Sequence, residues 1–380
     1  QAAAAARTNA EREATVLQAQ LDTELPGAKL EAWDWAWLAE RTRQQRYDLD
    51  EATLSTYLDF ETVLTDGVFA AATRLYGLSF RTLEAVTGYT DDCRTFEVCE
   101  ADGLGIGLLL VDPYARASKQ GGAWMTSLTD QGHLAATRPV VTINCNQPRP
   151  GPGKPTLMTW DDVTTLFHEF GHALHGLLAD SRYPSLSGTN TPRDFVEFPS
   201  QVNEMWSWEP SVIARFARQV TTGEAIPDQL LATLLAARHF GEGYEAFEAF
   251  SAMLLDQAWH QTPIDDLPSS VEDIEAFEAA ALSAAGVDFP LIPPRYRSCY
   301  FSHIWGGYAA SYYGYLWAEV MDADAVAWFE ANGGLTRENG DFFRREILAR
   351  GGSCDVMEAY RRFRGTDPDP RYLFIRHGLV

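Results

Sequence analysis

Apolar positions recur three and four residues apart from residue 1 to about residue 90, in EREATVLQAQLDTEL, AWDWAWLAERTRQQRY and DEATLSTYLDFETVLTDGVFAAATRLYG, and this spacing predicts successive helices. The period then changes. RTFEVCEA, GIGLLLVDPY and RPVVTINCNQ, between about 93 and 147, are short β-branched or apolar runs bounded by Gly, Pro and Asn, and they predict a small sheet. Helical spacing returns from residue 158 onward, with loops near 180–195, 261–270 and 286–297. The pattern is therefore that of a mostly α protein carrying one small sheet. The alternation Trp33, Trp35, Trp37 reads as packing. Gly121 and Gly122, in ASKQGGAWM, read either as a turn or as a place where the backbone comes close to a ligand.

Length and charge narrow what such a chain can do. With 380 residues it can bury a large core and divides into two domains or two halves of one. The pattern puts a helical segment at 1–90, read as the end of a longer N-terminal helical region, and the remaining region at 91–380. A net charge of −23 repels phosphates and anionic lipid, and the longest basic run is the pair Arg344-Arg345, so neither nucleic acid nor membrane is expected as a partner. Five scattered cysteines without a C-x-x-C spacing suggest neither a disulfide framework nor a thiolate metal site, and a reducing cytoplasm fits them. The first residues lack a secretory h-region, read as the middle of a helix and begin without Met, which suggests a fragment or a processed product.

The chemistry is concentrated in TWDDVTTLFHEFGHALHGLL. Thr159 and Asp162 resemble a helix-capping arrangement, and Val163, Leu166, Phe167, Phe170, Leu174, Leu177 and Leu178 recur at helical spacing. His168 and His172, four apart, then point to the same side one turn from each other and can reach a single ion. Zinc suits such a pair, and Glu169, about 100° around the helix, stands where a general base for a water belongs. A sequence of this composition contains H-E-x-x-H by chance on the order of once per hundred chains, so two core histidines remain the competing reading. His175, seven residues from His168, reads as packing or as support for a ligand rather than a ligand. Downstream, SGTNTPRDFVEFPSQVNEMWSW offers Glu197 from a second helical stretch as the third ligand, and Glu204, seven residues later, as a group that orients a ligand histidine.

HEFGH paired with GTNTPRDFVEFPSQ resembles the thimet oligopeptidase family of zinc metallopeptidases, and the wording is most like its bacterial peptidyl-dipeptidases, the dipeptidyl carboxypeptidases. The likeness runs nearly end to end, through AWDWAW, DPYARASKQGGAWM, PPRYRSCYFSHIWGGYAASYYGYLWAEV, GGLTRENGDFFRREILARGGS and RFRGTDPDP. It implies a zincin-type catalytic half over 91–380 with a small sheet beside the active-site helix and a deep substrate channel. It also implies one zinc ion held by His168, His172 and Glu197, with Glu169 as catalytic base. His303, Tyr308 and Tyr315 match positions with which the family holds substrate and stabilises the oxyanion, a task a neutral phenol performs by donating a hydrogen bond. Tyr312 is placed with them, on one helical face with Tyr308 and Tyr315. Bacterial members usually carry one more residue between this histidine and the first matched tyrosine.

The activity so implied is hydrolysis of short unfolded peptides with release of C-terminal dipeptides; the alternative within the family is internal cleavage of the oligopeptidase A kind. A catalytically silent zinc- or peptide-binding protein is the alternative of another class. Arg295 and Arg297 are the candidates to bind the free carboxylate of a substrate, because guanidinium pairs with it through two bonds. A sheet edge near 104–112 or 121–127 is the expected place for a peptide to add as a strand. Family members are near twice this length, so a companion N-terminal fragment of the same protein is expected as a partner.

Overall fold

A computed structural model describes residues 2–86 and 88–378. Its chain forms two compact units, one built from residues 1–49, 231–317 and 371–380, the other from 50–230 and 318–370. The helical stretch 1–90 is therefore divided between them.

In the first unit the helix Ala2–Glu24 packs on the helix Glu242–Gln261. Ala6, Ala10, Ala14, Leu17 and Leu21 form one stripe at helical spacing and are buried with Phe247, Phe250 and Met253. Glu13 finishes the contact: its carboxylate accepts the N–H groups of Gly243 (2.8 Å) and Tyr244 (2.9 Å), which open the second helix and have no partner within it. Of the three alternating tryptophans only Trp35 is core, 5% exposed against 78% for Trp33 and 47% for Trp37.

The second unit holds a five-stranded sheet in the order β1-β2-β3-β5-β4, with β1 Ser79–Thr82, β2 Arg94–Cys99, β3 Gly105–Tyr114, β4 Trp124–Thr129 and β5 Val140–Gln147. All neighbours are antiparallel except β3 and β5. Pro113 falls inside β3 where the register with β5 shifts between Asp112 and Tyr114, the one kind of place a central strand tolerates a missing donor. Two strands lie outside the three apolar runs read as strands. β1 has four residues and pairs with β2 alone, and β4 follows the Gly121-Gly122 turn as a half-exposed strand with little apolar alternation. The expectation of a free edge at 104–112 is overturned, because β3 is bonded on both sides; the edge strands are β1 and β4, and β4 overlaps the other expected edge at 121–127.

The motif helix Trp160–Leu177 lies against β4 and β5, and all seven apolar positions read from the sequence are buried. The Thr159–Asp162 box forms in both directions: Asp162 N–H donates to Thr159 Oγ1 at 3.1 Å and Thr159 N–H to Asp162 Oδ2 at 2.9 Å. Because Thr159 is exposed and acts through its cap, Thr159→Ala should lower stability by about 1 kcal/mol without altering the buried face, as read by urea unfolding.

Candidate active site and metal centre

Two helical segments build the site. The motif helix carries His168, Glu169 and His172; the second begins at Glu197, the joint between the short helices Arg193–Val196 and Phe198–Glu204. What lets them approach is Gly171. A Cβ there would lie 2.6 Å from Ser200 Cα, 2.9 Å from Asn203 Cβ and 3.1 Å from Pro199 O, so any larger residue would push the Glu197 segment away. Asn203 Nδ2 donates to Phe167 O at 2.7 Å across the same contact, and Ser200 Oγ donates to Glu197 O at 2.7 Å. Neither Gly171 nor Asn203 was read as functional from the sequence, although the glycine inside HEFGH was visible there as a residue that weakens a helix without local reason.

The three expected ligands meet. Glu197 Oε2 lies 3.2 Å from His168 Nε2 and 3.1 Å from His172 Nε2, and one donor atom from each residue lies within 4.8 Å of the others. Tetrahedral zinc with ordinary ligand lengths sets neighbouring donors about 3.3 Å apart, so this donor set fits a divalent metal of that kind. His168 Nδ1 is 2.6 Å from Glu204 Oε1, which fixes the ring so that Nε2 faces Glu197. Burial opposes a charge on His168, but its bonds to Glu197 and Glu204 outweigh that and hold its pKa well above the ordinary value. Burial likewise pushes Glu197 up, and the two imidazoles overcome it and hold the carboxyl well below its usual range. A field that draws protons onto a buried imidazole also draws a cation.

Glu169 sits beside this group without joining it. It is 5% exposed, its Oε2 has no protein partner, and burial raises its pKa against the pull of His168 and His172. His175 is fully buried with its pKa pushed down to about 3 by burial, which makes it a neutral packing residue.

The other expected residues lie elsewhere in the chain. In the first unit His303, Tyr308, Tyr312 and Tyr315 form one aromatic cluster: the His303 ring centroid is 5.9, 5.3 and 6.4 Å from those of the three tyrosines, and Tyr308 stacks on Tyr315 at 5.3 Å. The shared helical face expected for the tyrosines is corrected. Residues 302–305 form a 3-10 turn, turns continue to 313, and a helix runs only over Gly314–Ala331. Glycines at 306, 307 and 314 break the repeat that the tyrosine spacing suggested. Tyr312 is buried at 6% exposure, so it supports the cluster from behind. Arg295 and Arg297 are both engaged by carboxylates, Arg295 Nη1 with Glu248 at 2.9 Å and Arg297 Nε with Glu278 at 2.5 Å. Gly121 and Gly122 are exposed at the entry to β4, Gly122 has φ +81°, and Asn146 Nδ2 donates to Gln120 O at 2.6 Å and to Gly122 O at 2.7 Å.

Two outcomes follow from the packing and the tether. Gly171→Ala should displace Glu197 from the histidines and weaken metal binding at least about tenfold, with an overpacking cost of about 1–3 kcal/mol, as measured by chelator competition and thermal unfolding. Glu204→Ala should leave the fold intact and weaken the metal about 10–100-fold through loss of the His168 Nδ1 partner.

Comparison with known proteins extends this local geometry to the whole chain. The family model described as peptidase family M3 matches residues 1–379. The chain is 47% identical to a dipeptidyl carboxypeptidase of Escherichia coli K12 over 99% of its own length and 55% of the relative's, and 36% identical to oligopeptidase A of the same organism over 98% and 55%. It thus spans about half the length of the curated relatives it matches. Among solved structures, an M32 carboxypeptidase from Deinococcus radiodurans R1 shares the fold with a TM-score of 0.51 at 15% identity, covering 95% of this chain and 69% of that one. No helix among the described residues is long and apolar enough to cross a membrane. With a match that takes in all but the last residue, and with a His–His–Glu group able to hold a metal ion inside it, the chain belongs to peptidase family M3.

Proposed function

We propose that the protein is a zinc peptidase that cuts short peptides and releases dipeptides from their C-termini. The observation that carries this reading is the convergence of His168, His172 and Glu197 on one point with Glu169 beside it, in a chain of this family. Two imidazoles and one carboxylate are the donor set of hydrolytic zinc sites, which leave one position open. When bound there, zinc supplies a Lewis acid that polarises a carbonyl and acidifies water.

The chain's own residues do the rest. Glu204 holds the Nδ1 proton of His168 and keeps its Nε2 lone pair available. Glu169 takes the proton of the attacking water, Oε2 being the oxygen without a protein partner, and returns it to the leaving amine. Burial raises its pKa, which makes it a stronger proton acceptor than an exposed carboxylate. On the resemblance of the sequence, Tyr308 and Tyr315 donate phenolic hydrogen bonds to the oxyanion and His303 holds substrate. The free edge of β4 accepts the peptide as an added strand, with the Gly121-Gly122 turn giving its backbone room. Five unpaired cysteines suit a reducing cytoplasm.

Dipeptide release needs a cation for the substrate's free carboxylate. Both arginines are paired, and Arg295 is the better candidate because half its side chain is exposed (51%) and its partner Glu248 is 15% exposed, whereas Arg297 is bound at 2.5 Å to Glu278, itself 3% exposed. The relatives named oligopeptidase A favour a second reading, internal cleavage, in which no such cation is required.

Glu169→Gln should retain its metal and lose about 10²–10⁴-fold in turnover of a short peptide. Undiminished turnover would sink the mechanism, and peptide binding with no turnover in either protein would mark a silent binder. Peptides with free and amidated C-termini separate the two peptidase readings: dipeptide release requires a marked preference for the free acid, reduced in Arg295→Glu, and equal rates on both would establish internal cleavage.

A further inference from the structure

The tyrosine-bearing turn is held from outside by one fully buried acid. Asp256, on the helix Glu242–Gln261, has 0% exposure. Its Oδ1 accepts Ala310 N–H and its Oδ2 accepts Tyr312 N–H, each at 3.0 Å. The next residue, Gln257, donates through Nε2 to Ala310 O at 3.0 Å, so both polar groups of that residue are gripped by one helix. Ala310 needs the grip. Its φ is +54°, a left-handed conformation that residues with a Cβ adopt only when their surroundings impose it.

The acid suits its task for a specific reason. Two N–H groups two residues apart require two acceptors and no donor, which a carboxylate supplies and an amide does not. The geometry also fixes what lies beside it. The Tyr312 ring is wedged against Phe301 (4.8 Å between centroids), His303 (5.3 Å) and Tyr315 (5.2 Å), and Tyr315 stacks on Tyr308. At the far end of the segment, Glu278 Oε1 accepts Ser298 N–H at 2.5 Å, so the stretch carrying His303 and Tyr308 runs between two carboxylate anchors on separate helices.

We propose that Asp256 is a positioning residue for catalysis, which sets the direction of the Tyr308 and Tyr315 hydroxyls through the backbone of Ala310 and Tyr312; this rests on the peptidase reading above. It touches neither substrate nor metal ligands. Its contribution is to remove the freedom of a glycine-rich turn before substrate arrives, and donors aimed in advance are worth more than donors that must be collected.

The test uses Asp256→Asn in the intact, metal-loaded protein. The variant should keep wild-type metal stoichiometry, show amide exchange at Ala310 and Tyr312 at least about tenfold faster, and lose about 10–100-fold in kcat with KM changed by less than about threefold. Gln257→Ala, which removes the bond to Ala310 O and otherwise only an exposed bond from Gln261 on the same helix, should shift exchange and kcat in the same direction by a smaller factor, and it decides the matter if the first variant does not fold. Unaltered exchange at both amides, or activity and metal content falling together in proportion to unfolded protein, overturns the inference. A wild type without peptide turnover would instead overturn the peptidase reading, whatever the exchange data give.

Discussion

A carboxylate removed from water costs several kcal/mol unless opposite charge or hydrogen bonds replace its hydration. Glu197, 2% exposed, meets that demand with two imidazoles at 3.1 and 3.2 Å, and much of the second unit exists to hold those partners at that separation. Gly171 permits the approach, Asn203 ties the second segment to the backbone of the first, the sheet packs against the motif helix, and Glu204 holds the His168 ring with Nε2 toward Glu197. If the helices drift apart, Glu197 loses its compensation before any question of catalysis arises. The same closeness that satisfies the acid makes a pocket of donors of the right spacing for a cation. Stability and metal binding are thus one constraint here, expressed at two levels.

What could be read from the sequence was what is local or repeats at short period. The cap at Thr159, the buried stripe of the motif helix and the placement of His168, Glu169 and His172 depend on residues within about a turn or two, and each follows from spacing. Glu197 and Glu204 lay within reach because helical spacing put them in register with each other, and the resemblance tied the first to the histidines. Contacts between distant segments left no such mark. Nothing in HEFGH says that its glycine meets Ser200, and nothing near Tyr312 points back to Asp256. The tyrosine segment misled for a different reason: its ring spacing mimics a helix, while the glycines around it let the backbone turn instead. β3 could be recognised as a strand but not as a central one, since alternation reports the faces of a strand and not its neighbours.

The strongly acidic composition acquires a structural meaning in the first unit. Glu13, Asp256 and Glu278 each accept two hydrogen bonds or more, and each takes at least one backbone N–H from another segment. Backbone amides thus take up part of what a cationic partner supplies elsewhere: Glu13 is held by two of them, while Asp256 and Glu278 combine them with His260 and Arg297. Part of the net charge therefore serves as internal scaffolding, and only the remainder bears on solubility or partner choice.

These acids do not respond to protons alike. For Glu13 burial outweighs the two amides and raises the pKa, so the folded state holds this proton more readily than the unfolded chain does; as pH falls toward the ordinary carboxyl value, protonation relieves a cost. For Glu278 burial is outweighed by Ser298 and Arg297, and the pKa is lowered; its contribution is complete above the ordinary carboxyl value and lost as pH falls through the folded one. Falling pH therefore acts with opposite sign at the two positions, relieving a cost at Glu13 and removing a contribution at Glu278. Glu242, at the start of the helix that Glu13 caps, behaves like Glu278, because its bonds to His377 and His239 outweigh burial and hold its pKa down, so falling pH weakens that helix end as well as the anchor at Ser298.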